Sequence, residues 1–328
     1  SRLNSGLLSG ELFSFDIFFS RFNINIRYYI TMKDKIKIIV ILGQTATGKS
    51  DLAVEVAKKF DGEIISADSR QVYKGLDIGS GKITKREMQR VPHHLLNVAN
   101  PKRQFSVAQY KRLADKKIEE ISKKKKLPIV VGGTGFYIQA VVDDLVLPDV
   151  KPNQKLRKEL EKKTAKELFE ILKKLDKGRA KDIEKDNPRR LIRAIEIAKM
   201  LGKVPKLKKN SKYEVLQIGL KLPEDKLKEN IKKRLFTRVK KGMVAEVELL
   251  HKEGLSWKRS ESLGLEYRFL AQFLQSKINK EEMLEKIQTE SWQFAKRQMR
   301  WFKRDERIKW FGPSEVLKIE REIKKFIK

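Results

Sequence analysis

The chain has 328 residues, and 40% of them are apolar, which is enough for one large domain or two modest ones with a real core. It contains no cysteine, which excludes disulfide bonds and cysteine-ligated metal sites and fits a reducing, cytoplasmic compartment. No apolar run reaches the roughly 20 residues that a membrane-spanning helix needs, so we expect no membrane association. With 75 Lys and Arg against 43 Asp and Glu, the formal net charge is +32, which predicts a polyanionic partner such as nucleic acid.

Residues 1–31 differ in composition from the rest of the chain. Seven Phe and Tyr side chains crowd this stretch without a helical or strand period. Neither a signal peptide nor a transit peptide fits its mixed charges. We therefore expect a disordered or non-native N-terminal extension, with Met32 as a candidate start of the protein proper.

A phosphate-binding motif follows the first predicted strand, the apolar run Ile36–Leu42. The motif has the form G-x-x-x-x-G-K-[ST] and precedes a helical pattern, which is the context that identifies a P-loop. Its glycines let backbone N–H groups converge on phosphate oxygens, Lys49 adds a mobile positive charge, and Ser50 offers a hydroxyl to Mg²⁺. The loop comprises Gly43, Gln44, Thr45, Ala46, Thr47, Gly48, Lys49 and Ser50.

The next segments alternate between strand and helix patterns. Residues 63–66 predict a short strand, and a helix is expected from Ser106, in capping-box spacing with Gln109, to the lysine run at 123–126. Further buried strands are predicted at 127–131 and 215–222. This alternation predicts an α/β fold with a parallel, doubly wound sheet.

Two long helical stretches interrupt or follow this core. Between Pro148 and Pro205 the pattern predicts helices without a strand, in a very basic segment, and after Pro223 it predicts helices to the end. We therefore divide the chain into the extension at 1–31, a first part of the P-loop α/β core at 32–148, a helical insertion at 149–205, and a core completion with C-terminal helices at 206–328.

Further motifs make the chain recognisable. They are Asp68-Ser-Arg-Gln71 after the second strand, Pro92-His-His-Leu95, Gly132-Gly-Thr134, Asp186-Asn-Pro-Arg-Arg-Leu-Ile-Arg-Ala-Ile-Glu196, Arg234 with Gly242 and Glu246, and Gln293-Phe-Ala-Lys-Arg-Gln298 followed by Trp301-Phe302. Together these blocks, from about residue 36 to about residue 311, closely resemble the tRNA dimethylallyltransferase (isopentenyltransferase) family of the bacterial type.

The resemblance implies a fold and a reaction. The fold would be a P-loop NTPase-like parallel sheet with a helical insertion domain and C-terminal helices. The reaction would transfer the dimethylallyl group of dimethylallyl diphosphate to N6 of adenosine 37 in the tRNA anticodon loop, with Mg²⁺ as cofactor and a monomeric enzyme. The P-loop would hold the diphosphate, which Lys49 and Arg234 would help to stabilise, while Asp68 would act as base and Thr134 would contact the target adenosine. The residues alone leave open a Mg²⁺-orienting role for Asp68.

The resemblance also implies the residues that contact tRNA, in particular its anticodon stem-loop. These are Asp68, Ser69, Arg70, Gln71, Thr134, Arg157, Arg189, Arg190, Leu191, Ile192, Arg193, Gln293, Lys296 and Arg297. The aromatic residues beside the last three are expected to be helix core more than tRNA surface. His93 and His94 are interpreted as structural or tRNA-facing, because adjacent histidines point in divergent directions and no third metal ligand is near in sequence.

The chain departs from the family pattern at several positions. Residues 80–83 read Ser-Gly-Lys-Ile, Asn230 stands where an arginine is common, and Glu266 replaces the usual glycine before Tyr267. These departures leave the path of the 80–83 loop and the role of Glu266 open.

Three other functions remain as alternatives. An adenylate isopentenyltransferase would use free AMP or ATP, but a free nucleotide needs no large basic insertion. A P-loop kinase of a small metabolite would leave the insertion and the 293–298 block without a purpose. A non-enzymatic RNA-binding protein would not need Lys49, Ser50, Asp68 and Arg234 together.

Overall fold

The computed structural model describes residues 35–205 and 212–328, so the expected extension at 1–31 lies outside the described residues. Within them the chain forms six strands: β1 Ile36–Gly43, β2 Gly62–Ser66, β3 His93–His94, β4 Leu127–Gly132, β5 Tyr213–Leu220 and β6 Ile308–Phe311. In the same ranges it forms thirteen helices: α1 Lys49–Lys59, α2 Val107–Lys123, α3 Gly135–Val142, α4 Gln154–Leu160, α5 Ala165–Leu175, α6 Lys177–Asp182, α7 Pro188–Leu201, α8 Glu224–Lys240, α9 Met243–Lys252, α10 Trp257–Ser262, α11 Leu265–Leu274, α12 Lys280–Phe302 and α13 Val316–Ile327.

All six strands form one parallel sheet in the order β3-β2-β4-β1-β5-β6. The predicted parallel sheet and the capping box of Ser106 and Gln109 are thus confirmed. Because neighbouring strands β1, β2 and β4 run in the same direction, the loops that leave their carboxyl ends lie along one edge of the sheet. In open α/β sheets this edge is where ligands bind.

Two strands were not predicted, and one was misplaced. The expectation of helices alone after Pro223 is wrong at β6, a four-residue strand, and β3 has only two residues. Such short strands carry too few positions to show a period. The predicted strand at 215–222 begins and ends two residues earlier, as β5, because the ladder with β1 extends from Tyr213 to Leu220.

The central strand β1 contributes to the core on both faces of the sheet. Ile38, Val40 and Leu42 pack into the cluster that includes side chains of α2, α3, α9, α11 and α12. Ile39 and Ile41 pack on the other face against side chains of α1 and α13. This burial on both faces explains why the sequence of β1 is an unbroken apolar run.

The insertion has a hydrophobic cluster of its own. Helices α4–α7 lie between β4 and β5 in the chain and contain no strand, as the sequence predicted. Their buried side chains include Leu160, Leu168, Leu172, Leu191 and Ile195. Across residues 35–205 and 212–328, the helices are all too short or too polar to cross a bilayer.

The docking of α13 on the sheet can be tested by a matched pair of substitutions. Ile319 is fully buried on α13 and Leu317 on the same helix is 69% exposed. We expect Ile319→Ala to lower the free energy of unfolding by about 2–5 kcal/mol through lost burial and a residual cavity. Leu317→Ala should change it by less than about 0.5 kcal/mol. Urea denaturation measures both, and equal effects would contradict the docking of this helix.

Candidate active site

The P-loop connects the carboxyl end of β1 to the N-terminus of α1. Gly43 has a φ of 146°, and a Cβ there would lie 2.5 Å from the carbonyl oxygen of Leu220, so only glycine fits this turn. Gly48 caps α1 in the left-handed conformation and provides no side-chain hydrogen bond to its first turn. No side chain therefore caps the helix, whose N-terminus is a favourable place for an anion.

Lys49 lies at the start of α1 and folds back over the loop. Its Nζ donates a hydrogen bond of 2.5 Å to the carbonyl oxygen of Gln44. Burial and the nearby Arg234 guanidinium lower the pKa of Lys49 to about 7, although Asp68 acts in the opposite direction. In the free site the charged form of Lys49 is therefore disfavoured, and an anion bound in the loop would stabilise it.

Side chains from two later helices form hydrogen bonds with backbone groups of the P-loop. The Thr45 N–H donates to Oε1 of Gln298 on α12 (2.8 Å), and Nε2 of Gln298 donates to the carbonyl oxygen of Gly133 (2.9 Å). Nδ2 of Asn230 on α8 donates to the carbonyl oxygen of Ala46 (3.2 Å). Gln298 belongs to a motif that was recognised, but its role was missed because nothing local to either segment indicates a partner about 250 residues away in sequence.

Asp68 and Thr134 lie at the ends of β2 and β4, on the same edge as the P-loop. Oδ1 of Asp68 accepts hydrogen bonds from the N–H groups of Arg70 (2.8 Å) and Gln71 (3.3 Å). The hydroxyl of Thr134 accepts one from the N–H of Ser69 (2.9 Å). Within the part of the chain that the structure describes, Oδ2 of Asp68 has no hydrogen-bond donor. One carboxylate oxygen therefore fixes the turn while the other is available for a substrate.

Arg234 lies beside the P-loop, close enough to Asp68 for the two charges to interact. Its Nη1 lies 3.5 Å from the hydroxyl of Thr45 in the P-loop. Burial and the neighbouring Arg238 lower the pKa of Arg234 to about 10, while Glu266 and Asp68 oppose this shift. The structure thus gathers Lys49, Arg234 and Asp68, which the sequence analysis had placed in one site.

The arginines predicted to contact tRNA in the insertion fall into two groups. Arg157 and Arg193 bind the buried Glu196, Arg157 through Nε at 3.0 Å and Nη2 at 2.8 Å. Although burial opposes the charge, these bonds and the Asn153 N–H hold the pKa of Glu196 below its usual value. Arg189 and Arg190 are exposed.

Two residues of the same predicted run do not reach the surface. Leu191 is fully buried and Ile192 is 8% exposed, because both side chains face the core of the insertion. The prediction that these side chains contact tRNA is therefore corrected, and the candidate surface on α7 narrows to the arginines.

The basic residues of α12 are at least partly accessible to solvent, whereas its aromatic residues range from buried to exposed. Arg297 is exposed, and Gln293 and Lys296 are half-buried. Nζ of Lys296 lies 5.7 Å from the ring centroid of Trp292. The aromatic side chains range from Phe302, which is buried, to Phe294, which is 38% exposed, so the expectation of a helix core holds for only part of them.

The two adjacent histidines have structural partners. Nε2 of His94 lies 2.7 Å from Oε2 of the buried Glu63, and Nδ1 of His93 lies 2.8 Å from the carbonyl oxygen of Val91. In residues 35–205 and 212–328, no group of three His, Asp or Glu side chains is arranged to hold a metal ion.

Comparison with known proteins identifies the family. A family model described as IPP transferase matches residues 71–305. The tRNA dimethylallyltransferase 2 of Treponema denticola is 44% identical over 285 residues, which are 85% of this chain and 95% of that protein. The tRNA dimethylallyltransferase of Anoxybacillus flavithermus is 37% identical over 297 residues, 89% of this chain and 95% of the relative.

Solved structures agree with this assignment. The full-length tRNA isopentenylpyrophosphate transferase from Bacillus halodurans has 35% sequence identity and a TM-score of 0.68, and the match covers 88% of this chain and 96% of that one. A eukaryotic dimethylallyltransferase acting on tRNA has 29% identity and a TM-score of 0.70 over 81% of this chain and 69% of that one. The chain belongs to the IPP transferase family, the family of the tRNA dimethylallyltransferases.

Proposed function

We propose that this protein transfers a dimethylallyl group from dimethylallyl diphosphate to N6 of adenosine 37 in the anticodon loop of tRNA and releases diphosphate. One observation carries the proposal: the P-loop, Asp68 and Thr134 lie at one edge of the sheet, with Arg234 beside the loop. A cationic phosphate site next to a carboxylate suits a reaction in which a diphosphate ester meets a weakly nucleophilic amine.

The cationic half of the site would act on the leaving group. As the bond between the allyl carbon and the diphosphate oxygen breaks, negative charge collects on the diphosphate. Lys49, the N-terminus of α1 and Arg234 would stabilise that charge in place of water. The donor is discarded as diphosphate, which is why a loop of this type serves here without transferring phosphate.

A Mg²⁺ ion fits the residues at this loop. The exposed hydroxyl of Ser50 lies in the first turn of α1, and a hydroxyl is a hard oxygen ligand. In P-loop sites a Ser or Thr hydroxyl is a ligand of Mg²⁺, and substrate phosphates and waters supply most of the others, so Ser50 would be the protein ligand from this loop. When bound, the ion supplies further neutralisation of the diphosphate.

Asp68 would act on the nucleophile. The lone pair of the exocyclic amine is delocalised into the adenine ring, so a carboxylate that accepts an N6 proton assists the attack. The C–N bond forms as the C–O bond breaks, and the proton passes to Oδ2 of Asp68. Because an adenine stacked in the anticodon loop cannot reach Asp68, the base must be extruded into the site.

The basic surfaces would hold the tRNA. Arg189 and Arg190 on α7, and Lys296 and Arg297 on α12, are at least partly exposed and suit contacts with phosphates. Arg157 and Arg193 would contribute from the Glu196 cluster. From the family resemblance we also propose that the enzyme acts in the cytoplasm as a monomer. A free nucleotide substrate would leave these surfaces without a purpose, which disfavours an adenylate isopentenyltransferase.

The reaction can be tested with defined substrates. We expect an anticodon stem-loop RNA that carries adenosine 37, incubated with dimethylallyl diphosphate and Mg²⁺, to gain one dimethylallyl group. AMP should react at least about a hundredfold more slowly, because it forms none of the phosphate contacts. Mass spectrometry of the digested nucleosides identifies the product. Modification of AMP in preference to RNA, or phosphate transfer from ATP, would contradict the proposal.

Asp68→Asn separates the proposed base from its structural role. The amide oxygen of asparagine retains the acceptor for the Arg70 and Gln71 N–H groups but cannot take a proton. We expect kcat to fall at least about a hundredfold and tRNA affinity to stay within about threefold. Single-turnover transfer and fluorescence anisotropy measure the two effects, and near-normal turnover would disprove the base assignment.

Lys49 predicts a pH dependence of donor binding. Its pKa of about 7 in the free site means that the ammonium form dominates below pH 7 and is lost as the pH rises. Affinity for Mg²⁺-pyrophosphate should therefore fall with rising pH. Lys49→Arg is the control, since its guanidinium stays charged while the titration of pyrophosphate itself is unchanged. We expect the ratio of wild-type to variant affinity to fall about tenfold between pH 6.5 and 8.5 in calorimetry; a constant ratio would contradict the assignment.

A further inference from the structure

A second arginine lies beside Arg234 at the phosphate site. Arg238 is one helical turn further along α8, so the two guanidinium groups share a face of the helix. Gly81 has a φ of 60°, and a Cβ placed on it would lie 1.7 Å from Nη2 of Arg238 and 3.0 Å from Nη2 of Arg234. Both cations therefore occupy the small space above Gly81, where they repel each other.

The loop beneath these cations is held firmly. The carboxylate of Glu246 accepts hydrogen bonds from the N–H groups of Asp77 (2.9 Å), Ile78 (2.5 Å) and Gly79 (3.0 Å). The buried Tyr267 donates its hydroxyl to the same carboxylate at 2.8 Å. These bonds fix the carbonyl oxygen of Gly79, which accepts a hydrogen bond of 3.2 Å from Nη1 of Arg238.

Glu266 provides the other partner of Arg238. Its Oε1 lies 3.3 Å from Nη1 of Arg238, and its side chain is 21% exposed. Burial raises the pKa of Glu266, which Arg238 opposes. A carboxylate that is largely buried costs desolvation free energy, and its negative charge would repel a bound anion. Stability of the fold alone therefore does not explain why a carboxylate lies beside an anion site.

We propose that Glu266 is a positioning residue that, together with the carbonyl oxygen of Gly79, holds Arg238 next to Arg234 so that the two guanidinium groups form a clamp for the donor diphosphate. The inference rests on the proposed function for the identity of the anion. Arg234 reaches the P-loop at Thr45, and Arg238 adds a second guanidinium beside it, next to Gly81. Without an anchor, repulsion would move Arg238 out of the site.

Removal of Glu266 distinguishes positioning from simple electrostatics by the sign of its effect. If the carboxylate only repels the diphosphate, Glu266→Ala removes a negative charge and tightens binding. If it positions Arg238, the same variant weakens binding because one guanidinium is lost from the clamp. Glu266→Gln keeps an oxygen acceptor for Arg238 without the charge and should bind at least as well as the wild type.

The test is calorimetry with inorganic pyrophosphate and Mg²⁺ on the full chain. We expect Glu266→Ala to weaken pyrophosphate binding about tenfold, as for a lost charge-assisted hydrogen bond, and Glu266→Gln to stay within about twofold of the wild type. Arg238→Ala should bind pyrophosphate as weakly as Glu266→Ala does. The variant that carries both substitutions should bind it no more weakly than Arg238→Ala alone. Glu248→Ala, which removes an exposed carboxylate from α9, should have no effect.

Two outcomes would overturn the inference. One is pyrophosphate binding by Glu266→Ala that equals or exceeds that of the wild type. The other is a parallel loss of tRNA affinity in fluorescence anisotropy, because a general disturbance of the fold would then account for the effect. A wild-type protein that shows the expected order of pyrophosphate affinities but transfers no dimethylallyl group would support the clamp and overturn only the proposed function.

Discussion

The site depends on holding three positively charged side chains close together beside the P-loop. Lys49, Arg234 and Arg238 converge on the P-loop and the space beside it, and burial depresses the pKa values of Lys49 and Arg234. Asp68 and Glu266 partly offset the repulsion, and hydrogen bonds to the carbonyl oxygens of Gln44 and Gly79 hold Lys49 and Arg238 in place. In the proposed reaction a bound diphosphate would offset this repulsion, so the free protein is organised for an anion before the anion binds.

Many of the contacts that hold the site in place come from segments that are distant in the chain. Gln298 on α12 connects the P-loop to Gly133, in the segment after β4 that also carries Thr134. The Thr134 hydroxyl in turn accepts a hydrogen bond from Ser69, the residue after Asp68. The P-loop and the segment that carries Thr134 are therefore connected through one amide side chain. In the proposed reaction the allyl carbon moves between these two segments, so their separation must be maintained.

The sequence predicted the parts whose signals are local. The P-loop could be identified because glycine spacing, an apolar strand and a helix follow one another within about twenty residues. The partner of Arg157 could not be identified in this way, because Glu196 meets Arg157 only when α4 packs against α7. The pairing of Arg193 with Glu196, three residues apart on one helix, did have a local signal. Leu191 and Ile192 were assigned to the tRNA surface by their place in a motif, although their apolar side chains belong to the core of the insertion. The strand β6 was missed because its ladder with β5 fixes only four residues.

The contact between Thr45 and Gln298 also bears on how the protein matures on the ribosome. The P-loop is made early, but the side chain that holds it lies 253 residues later. In a nascent chain that ends before α12, the P-loop lacks its contact with Gln298, although β4 can still pair with β1 and β2. We therefore expect the P-loop to gain this contact only after α12 has been translated, so that products truncated before α12 contain the whole motif without its partner Gln298.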